Sequence, residues 1–199
     1  MKIPKQVLNS INAQANKILR PKTEDSLRDI IDDIKKQMIQ EFMNHPVTEE
    51  LMNGYNAENI SNTLNGNGNL FSFIGFESGD SPIIPIIEML EKINVSFTRS
   101  NNNIVTANII LPSARDIFAI TPMPWASGRS WAKGIESGIS GIGFYIQKYG
   151  QGRSEGGIQS NSKVRSGRFK NTPYISALLS KYRTLFSKIN YAQINIKLS

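Results

Sequence analysis

The sequence predicts an α+β fold. Three observations carry this. Two long stretches, near residues 5–42 and 175–186, repeat apolar residues at helical spacing. Two others, 94–111 and 192–198, alternate apolar and polar residues as half-buried strands do. These patterns are interspersed along the chain, which favours helices flanking a small mixed or antiparallel sheet. The 199 residues suit a single domain. Within it, residues 1–44 read as an N-terminal helical arm and 45–199 as the α+β structural domain.

Taken in order, Val7, Leu8, Ile11, Ala15, Ile18 and Leu19 share one helical face. Arg20-Pro21 should end that segment, because a residue before proline avoids the α region. Thr23 and Ser26 then fit a capping box opening a second helix. Its stripe is Leu27, Ile30, Ile31, Ile34, Met38, Ile39 and Phe42. The two segments form one arm bent at Pro21 or an αα-hairpin. His45-Pro46 breaks the helix, and Val47 to Met52 adds a turn. Residues 53–69 hold seven asparagines and three glycines, so they read as a long loop and a contact surface.

Leu70 to Phe76 is apolar, short and strand-like. Ser81 is placed to cap a helix from Pro82 with Ile83, Ile86, Ile87 and Leu90 inward. Asn94 to Arg99 and Ile104 to Leu111, around an Asn-rich turn, make a β-hairpin. Arg115 to Ile120 reads as a further strand, closed by Pro122 and Pro124. A helix is expected from Trp131 to Tyr149 and another from Pro173 to Ile189. The latter carries Ile175, Leu178, Leu179, Tyr182, Leu185 and Phe186. Residues 192–198 form a last strand.

Composition narrows the function. The chain has no cysteine and one histidine, which leaves no zinc site and no thiol chemistry. His45 reads as a surface histidine in a helix-terminating turn. Asp29 and Asp33 share a helical face, but opposite the isoleucine stripe, where acids are ordinarily solvated. Gly66-Asn67-Gly68 and Gly150-Gln151-Gly152 are fragments of phosphate loops, not complete motifs. No enzyme, no cofactor and no metal is expected, and no segment reads as a membrane span or secretory signal.

The charge is unevenly spread. Residues 1–120 carry 11 basic and 14 acidic residues, whereas 121–199 carry 12 basic and 2 acidic. Ten of the 15 glycines lie between Trp125 and Phe169. Gly134, Gly138 and Gly141 follow steps of four and three beside an isoleucine stripe, Ile135, Ile139, Ile142 and Ile146. Each glycine costs about 0.5–1 kcal/mol in a helix relative to alanine, so this ridge needs a packing reason, internal or at a subunit contact. Trp131, Asn67 and Phe71 join it as interface candidates. Beyond it, Lys148, Arg153, Lys163, Arg165, Arg168 and Lys170 face only Glu155. That composition does not order alone. It would solvate the surface, contact nucleic-acid phosphates or dock to a protein.

Two blocks carry a family resemblance. HPVTEELMNGYNAENISNTLNGNGNLFSFIGFESGDSPIIPIIEML is one. SGRSWAKGIESGISGIGFYIQKYGQGRSEGGIQ, followed by TPYISALLSKYR, is the other. Together they resemble neck or tail-completion proteins, virion proteins of tailed bacteriophages that lie between head and tail. The resemblance spans roughly residues 40–190 and depends on long blocks. Residues 1–40 carry none of it, and Gly54-Tyr55-Asn56 departs towards asparagine. The resemblance implies an α+β fold, made in the host bacterial cytoplasm and assembled in the virion as a ring, hexameric or dodecameric, around the DNA channel. Partners would be further copies of itself and other neck, portal-adaptor or tail proteins, with non-specific contact to packaged DNA. It implies no catalytic residues. The alternative is a monomeric, sequence-independent nucleic-acid-binding protein that uses the basic 148–170 loop.

Overall fold

The computed structural model describes residues 5–64, 68–99, 105–124, 126–137, 172–189 and 194–198, and their fold is α+β. The chain divides into two compact units. The first comprises residues 1–37, 93–111 and 182–199, the second 38–92 and 112–181.

Helix α1 spans Lys5–Met43 and is continuous through Pro21. The expected break at Arg20-Pro21 is therefore corrected, as is the capping box at Thr23. Ser26 Oγ instead donates to Lys22 O at 2.8 Å, the back-bond of a residue inside a helix. Proline removes one donor and crowds the preceding turn, at about 3 kcal/mol. Its exposed position lets the turns on either side carry the helix past it. Of the later stripe, Leu27, Ile31, Met38 and Phe42 are at most 1% exposed, while Ile30, Ile34 and Ile39 at its edges are half-buried. The side chains of the first stripe, Val7 to Leu19, lie outside the described residues.

In the first unit, β1 (Asn94–Arg99) and β2 (Val105–Ile110) form the expected antiparallel hairpin, with Asn94 opposite Ile110. β5 (Ile194–Leu198) joins β2 in parallel, giving the order β1-β2-β5. Val95, Ala107 and Ile109 are buried, and Asn94, Ser96 and Thr98 are exposed. α1 lies along the hairpin. Arg28 stacks its guanidinium 4.9 Å above the Phe97 ring, and Lys35 Nζ donates to Ile93 O.

The second unit holds short helices: α2 (Pro46–Met52), α3 (Leu70–Ile74), α4 (Ile84–Glu91), α5 (Ala114–Ala119) and α6 (Trp131–Ser137). It also holds a two-stranded ribbon of β3 (Pro122–Met123) and β4 (Ala126–Ser130), which the sequence did not suggest. α7 (Ile175–Ser187) begins here and buries Ile175, Leu178, Leu179, Tyr182 and Phe186 as expected.

Two expected strands are helices. Leu70 to Phe76 is capped at one end by Asn69, whose Oδ1 accepts from Ser72 N at 2.8 Å. At the other end Gly75 takes a left-handed φ of 97°. Arg115 to Ile120 starts from a capping box, in which Ser113 Oγ accepts from Asp116 N and Asp116 accepts from Ser113 N. In each case the caps decide what a run of five or six residues cannot. α4 also starts later than Ser81 suggested, after Ile83.

Candidate assembly surface

The Asn-rich segment is not a structureless loop. It is built on Glu50, which projects from α2 and is fully buried. Its carboxylate accepts from Asn59 Nδ2 at 2.8 and 3.0 Å, Ser61 Oγ at 2.6 Å, Ser61 N at 3.2 Å and Leu70 N at 2.9 Å. Asn59 Oδ1 in turn accepts from Leu64 N, and Asn69 Nδ2 donates to the carbonyls of Gly54 and Ala57. A buried carboxylate is tolerated when hydrogen bonds satisfy its oxygens, and bonds to a charge are stronger than neutral ones. One side chain thus draws Asn59, Ser61 and Leu70 onto α2.

Helical spacing offered a signal for this. Val47, Glu50 and Leu51 stand at i, i+3 and i+4, and all three are buried.

A chain of aromatic rings crosses the second unit. Tyr55 meets Phe71 edge-on at 5.3 Å, Phe71 meets Phe76 at 5.2 Å, and Phe76 meets Trp131 at 6.1 Å. Trp131 reaches Tyr174 at 6.4 Å, and Tyr174 contacts Phe42 at 5.8 Å and His45 at 4.8 Å. All these spacings suit attractive ring pairs. Trp131 and Phe71, expected at a subunit contact, are 1% and 3% exposed. They are core residues, and their rings are not offered to a neighbour. No spacing in the sequence announces this chain, because its members are far apart.

Tyr174 is the node where distant segments meet. Its hydroxyl pairs with Thr48 Oγ1 at 2.8 Å, and burial raises its pKa well above the ordinary value. His45 caps α2: its Nδ1 accepts from Val47 N at 3.2 Å. Nε2 therefore carries the proton and faces Pro173 O at 3.2 Å. Burial lowers the His45 pKa, partly offset by the Pro173 carbonyl and by Glu41. The histidine expected on the surface is a half-buried clasp between two segments. Beside it lies a shallow groove of about 150 Å³, lined by Phe42, His45, Tyr174, Ala177 and Leu178 and rimmed by the Glu41–Lys181 ion pair.

The same region holds both ends of the glycine-rich and basic stretch. Thr172 N donates to Ile135 O at 3.4 Å. Glu136 accepts from Ser176 N at 2.5 Å and from Ser176 Oγ at 2.6 Å, placing a carboxylate at the N-terminus of α7 where its dipole favours an anion. The described residues on either side of 138–171 thus meet at one place in the second unit. Of the glycine ridge, Gly134 is described and is half-buried. Gly138, Gly141, Asn67, Arg153, Lys163, Arg165, Arg168 and Lys170 lie outside the described residues, as does the rest of the helix expected to Tyr149.

Asp29 and Asp33, which share a helical face, are exposed, and Asp33 pairs with Lys36 at 3.4 Å. Among the described residues no group of three histidine or acidic side chains is placed to hold a metal, and no helix is long and apolar enough to cross a membrane. The chain matches no protein-family model, no curated protein and no solved structure.

Proposed function

We propose that this chain is a structural protein of a tailed-phage virion, a neck or tail-completion component that joins head and tail as an oligomeric ring around the DNA channel. It acts by surface contact and not by catalysis. Its partners are further copies of itself and adjoining neck, portal-adaptor or tail proteins. One observation carries the reading beyond the sequence resemblance. The Glu50-bound segment and the residues flanking 138–171 belong to one unit, and the aromatic chain from Tyr55 to Tyr174 runs between them. That arrangement supports presenting two non-identical surfaces, as heterologous contacts in a ring require.

The excess of basic residues after position 120 favours a second reading, a monomer that binds nucleic acid through its 148–170 loop. One experiment separates the two. Arg153, Lys163, Arg165, Arg168 and Lys170 are changed together to glutamine, and assembly and DNA affinity are followed by sedimentation and salt titration. The ring reading expects DNA affinity to be negligible or independent of sequence, and assembly to fail in the variant. Each phosphate that the variant no longer neutralises lowers the salt slope by about 0.9. A wild-type chain that stays monomeric and holds DNA tightly, with both properties indifferent to assembly partners, supports the second reading instead.

A further inference from the structure

We propose that the exposed face of α2 and the Asn-rich segment after it is the docking site for the basic segment 148–170 of a second copy of this chain. The inference rests on the ring reading and names its contact. Met52, Tyr55 and Ile60 are 52%, 53% and 49% exposed. Three large apolar side chains within nine residues are a costly thing to leave in water. They stay outward because the backbone that bears them is fixed. Glu50 holds Asn59 and Ser61, Asn69 holds Gly54 and Ala57, and Tyr55 donates its hydroxyl to Phe76 O. The face is held in one shape before any partner arrives, which lowers the ordering cost of binding.

Charge identifies the occupant. Residues 46–80 carry Glu49, Glu50, Glu58, Glu77 and Asp80 and no lysine or arginine. Glu49 lies one turn before Met52 on α2, Glu58 stands between Tyr55 and Ile60, and both are exposed. From Glu49 to Ile60, exposed carboxylates and exposed apolar side chains thus alternate along the chain. A segment bearing Lys148, Arg153, Lys163, Arg165, Arg168 and Lys170 against Glu155 complements it. Arginine stems cover apolar surface while their guanidinium groups reach carboxylates in pairs of bonds. The same acids repel DNA, so the face selects a basic polypeptide. Reach allows the neighbour. The residues that flank 138–171 meet at one place, and half of that stretch fully extended would span about 50 Å. One copy's face and the next copy's segment are different surfaces, and such head-to-tail contacts close rings.

The test uses charge reversal in the full chain. One variant carries Glu49→Lys and Glu58→Lys, another Arg153→Glu, Arg165→Glu and Arg168→Glu. Sedimentation velocity across a concentration series, at low and high salt, reads association. The expected result is that the wild-type chain associates, less so at high salt, and that each variant alone is monomeric with an unchanged thermal melt. An equimolar mixture of the two re-associates, because each supplies the charge that its partner needs. Ile60→Ser, which alters no charge, weakens association by about tenfold or more, and it carries the test if the lysine variant fails to fold. Variants that assemble into rings like the wild type overturn the docking and leave the ring reading intact. Association that is open-ended or stops at dimers, yet obeys the reversal and rescue, supports the docking and defeats the ring. A wild-type chain that is monomeric throughout, or a segment that binds DNA unaffected by the face variant, overturns the docking.

Discussion

At the scale of single residues, Glu50 and His45 hold the second unit together by different means. Glu50 is an acceptor surrounded by donors, so removing it strands several of them in the interior. Hydrogen bonds to a charge are worth about 1.5–3 kcal/mol each, so Glu50→Ala should cost at least about 3 kcal/mol in urea unfolding. Glu50→Gln, which keeps an acceptor, should cost less. Equal melts for wild type and the alanine variant would remove Glu50 from its central place. His45 acts through a single tautomer, since a proton on Nδ1 would oppose the Val47 N–H. Its folded pKa is lowered from 6.5, so below that pH the unfolded chain takes up a proton that the folded chain resists. The stabilising contribution is complete above about pH 6.5 and is lost as pH falls towards the folded pKa, by at most about 1.4 kcal/mol per pH unit. His45→Asn keeps a cap that does not titrate. The stability difference between wild type and this variant should shift towards the variant between pH 7.5 and 5.5, whereas a constant difference would show that the imidazole is not what titrates. Neither role could be read directly from the chain. The helical step from Val47 to Glu50 and Leu51 hinted that Glu50 is buried, but the carbonyl that His45 meets is 128 positions away.

At the scale of elements, legibility followed length. The Leu27 to Phe42 stripe and the Ile175 to Phe186 stripe repeat long enough for the 3.6 period to be decisive, and most of each is buried, with Ile30, Ile34, Ile39 and Leu185 half-buried. The β1–β2 hairpin was legible from alternation around a polar turn. α3 and α5 have five and six residues, and over that length apolar runs look alike in strand and helix. Asn69 and Gly75 were the informative residues at α3, and Ser113 with Asp116 at α5. Proline misled in the opposite direction. Its local preference at Pro21 yielded to the helix on either side, as propensity does when flanking turns and packing favour continuation. Pro21→Ala should then restore the donor to the Lys17 carbonyl and stabilise α1 locally by up to about 3 kcal/mol. Slower amide exchange around residues 17–25 is the expected readout. Unchanged or faster exchange would mean that the helix bends or ends there.

At the scale of the whole molecule, the α+β class was legible, and half of the candidate surface was too. Asparagine and glycine density marked the 53–69 segment, and unbalanced charge marked 148–170, because both are properties of composition. How the first is bound to Glu50, and where the residues flanking 138–171 meet, depend on contacts between distant residues and leave no local trace. The ridge at Gly134, Gly138 and Gly141 leads to a prediction at this scale. Gly138→Leu should destabilise the chain by about 1–3 kcal/mol through overpacking, or block assembly at unchanged stability. Urea melts and sedimentation together read both arms, and normal behaviour in each would show that the ridge packs against nothing. The parallel pairing of β2 with β5 has a consequence for synthesis. Val105 pairs with Ile194, 89 positions later. At roughly 5–20 residues per second, a ribosome takes roughly 4–18 s to make that stretch. Throughout that interval the nascent hairpin carries an open strand edge, and an open edge accepts any extended segment that comes near. On a crowded polysome, the neighbours are other unfinished copies bearing the same edge.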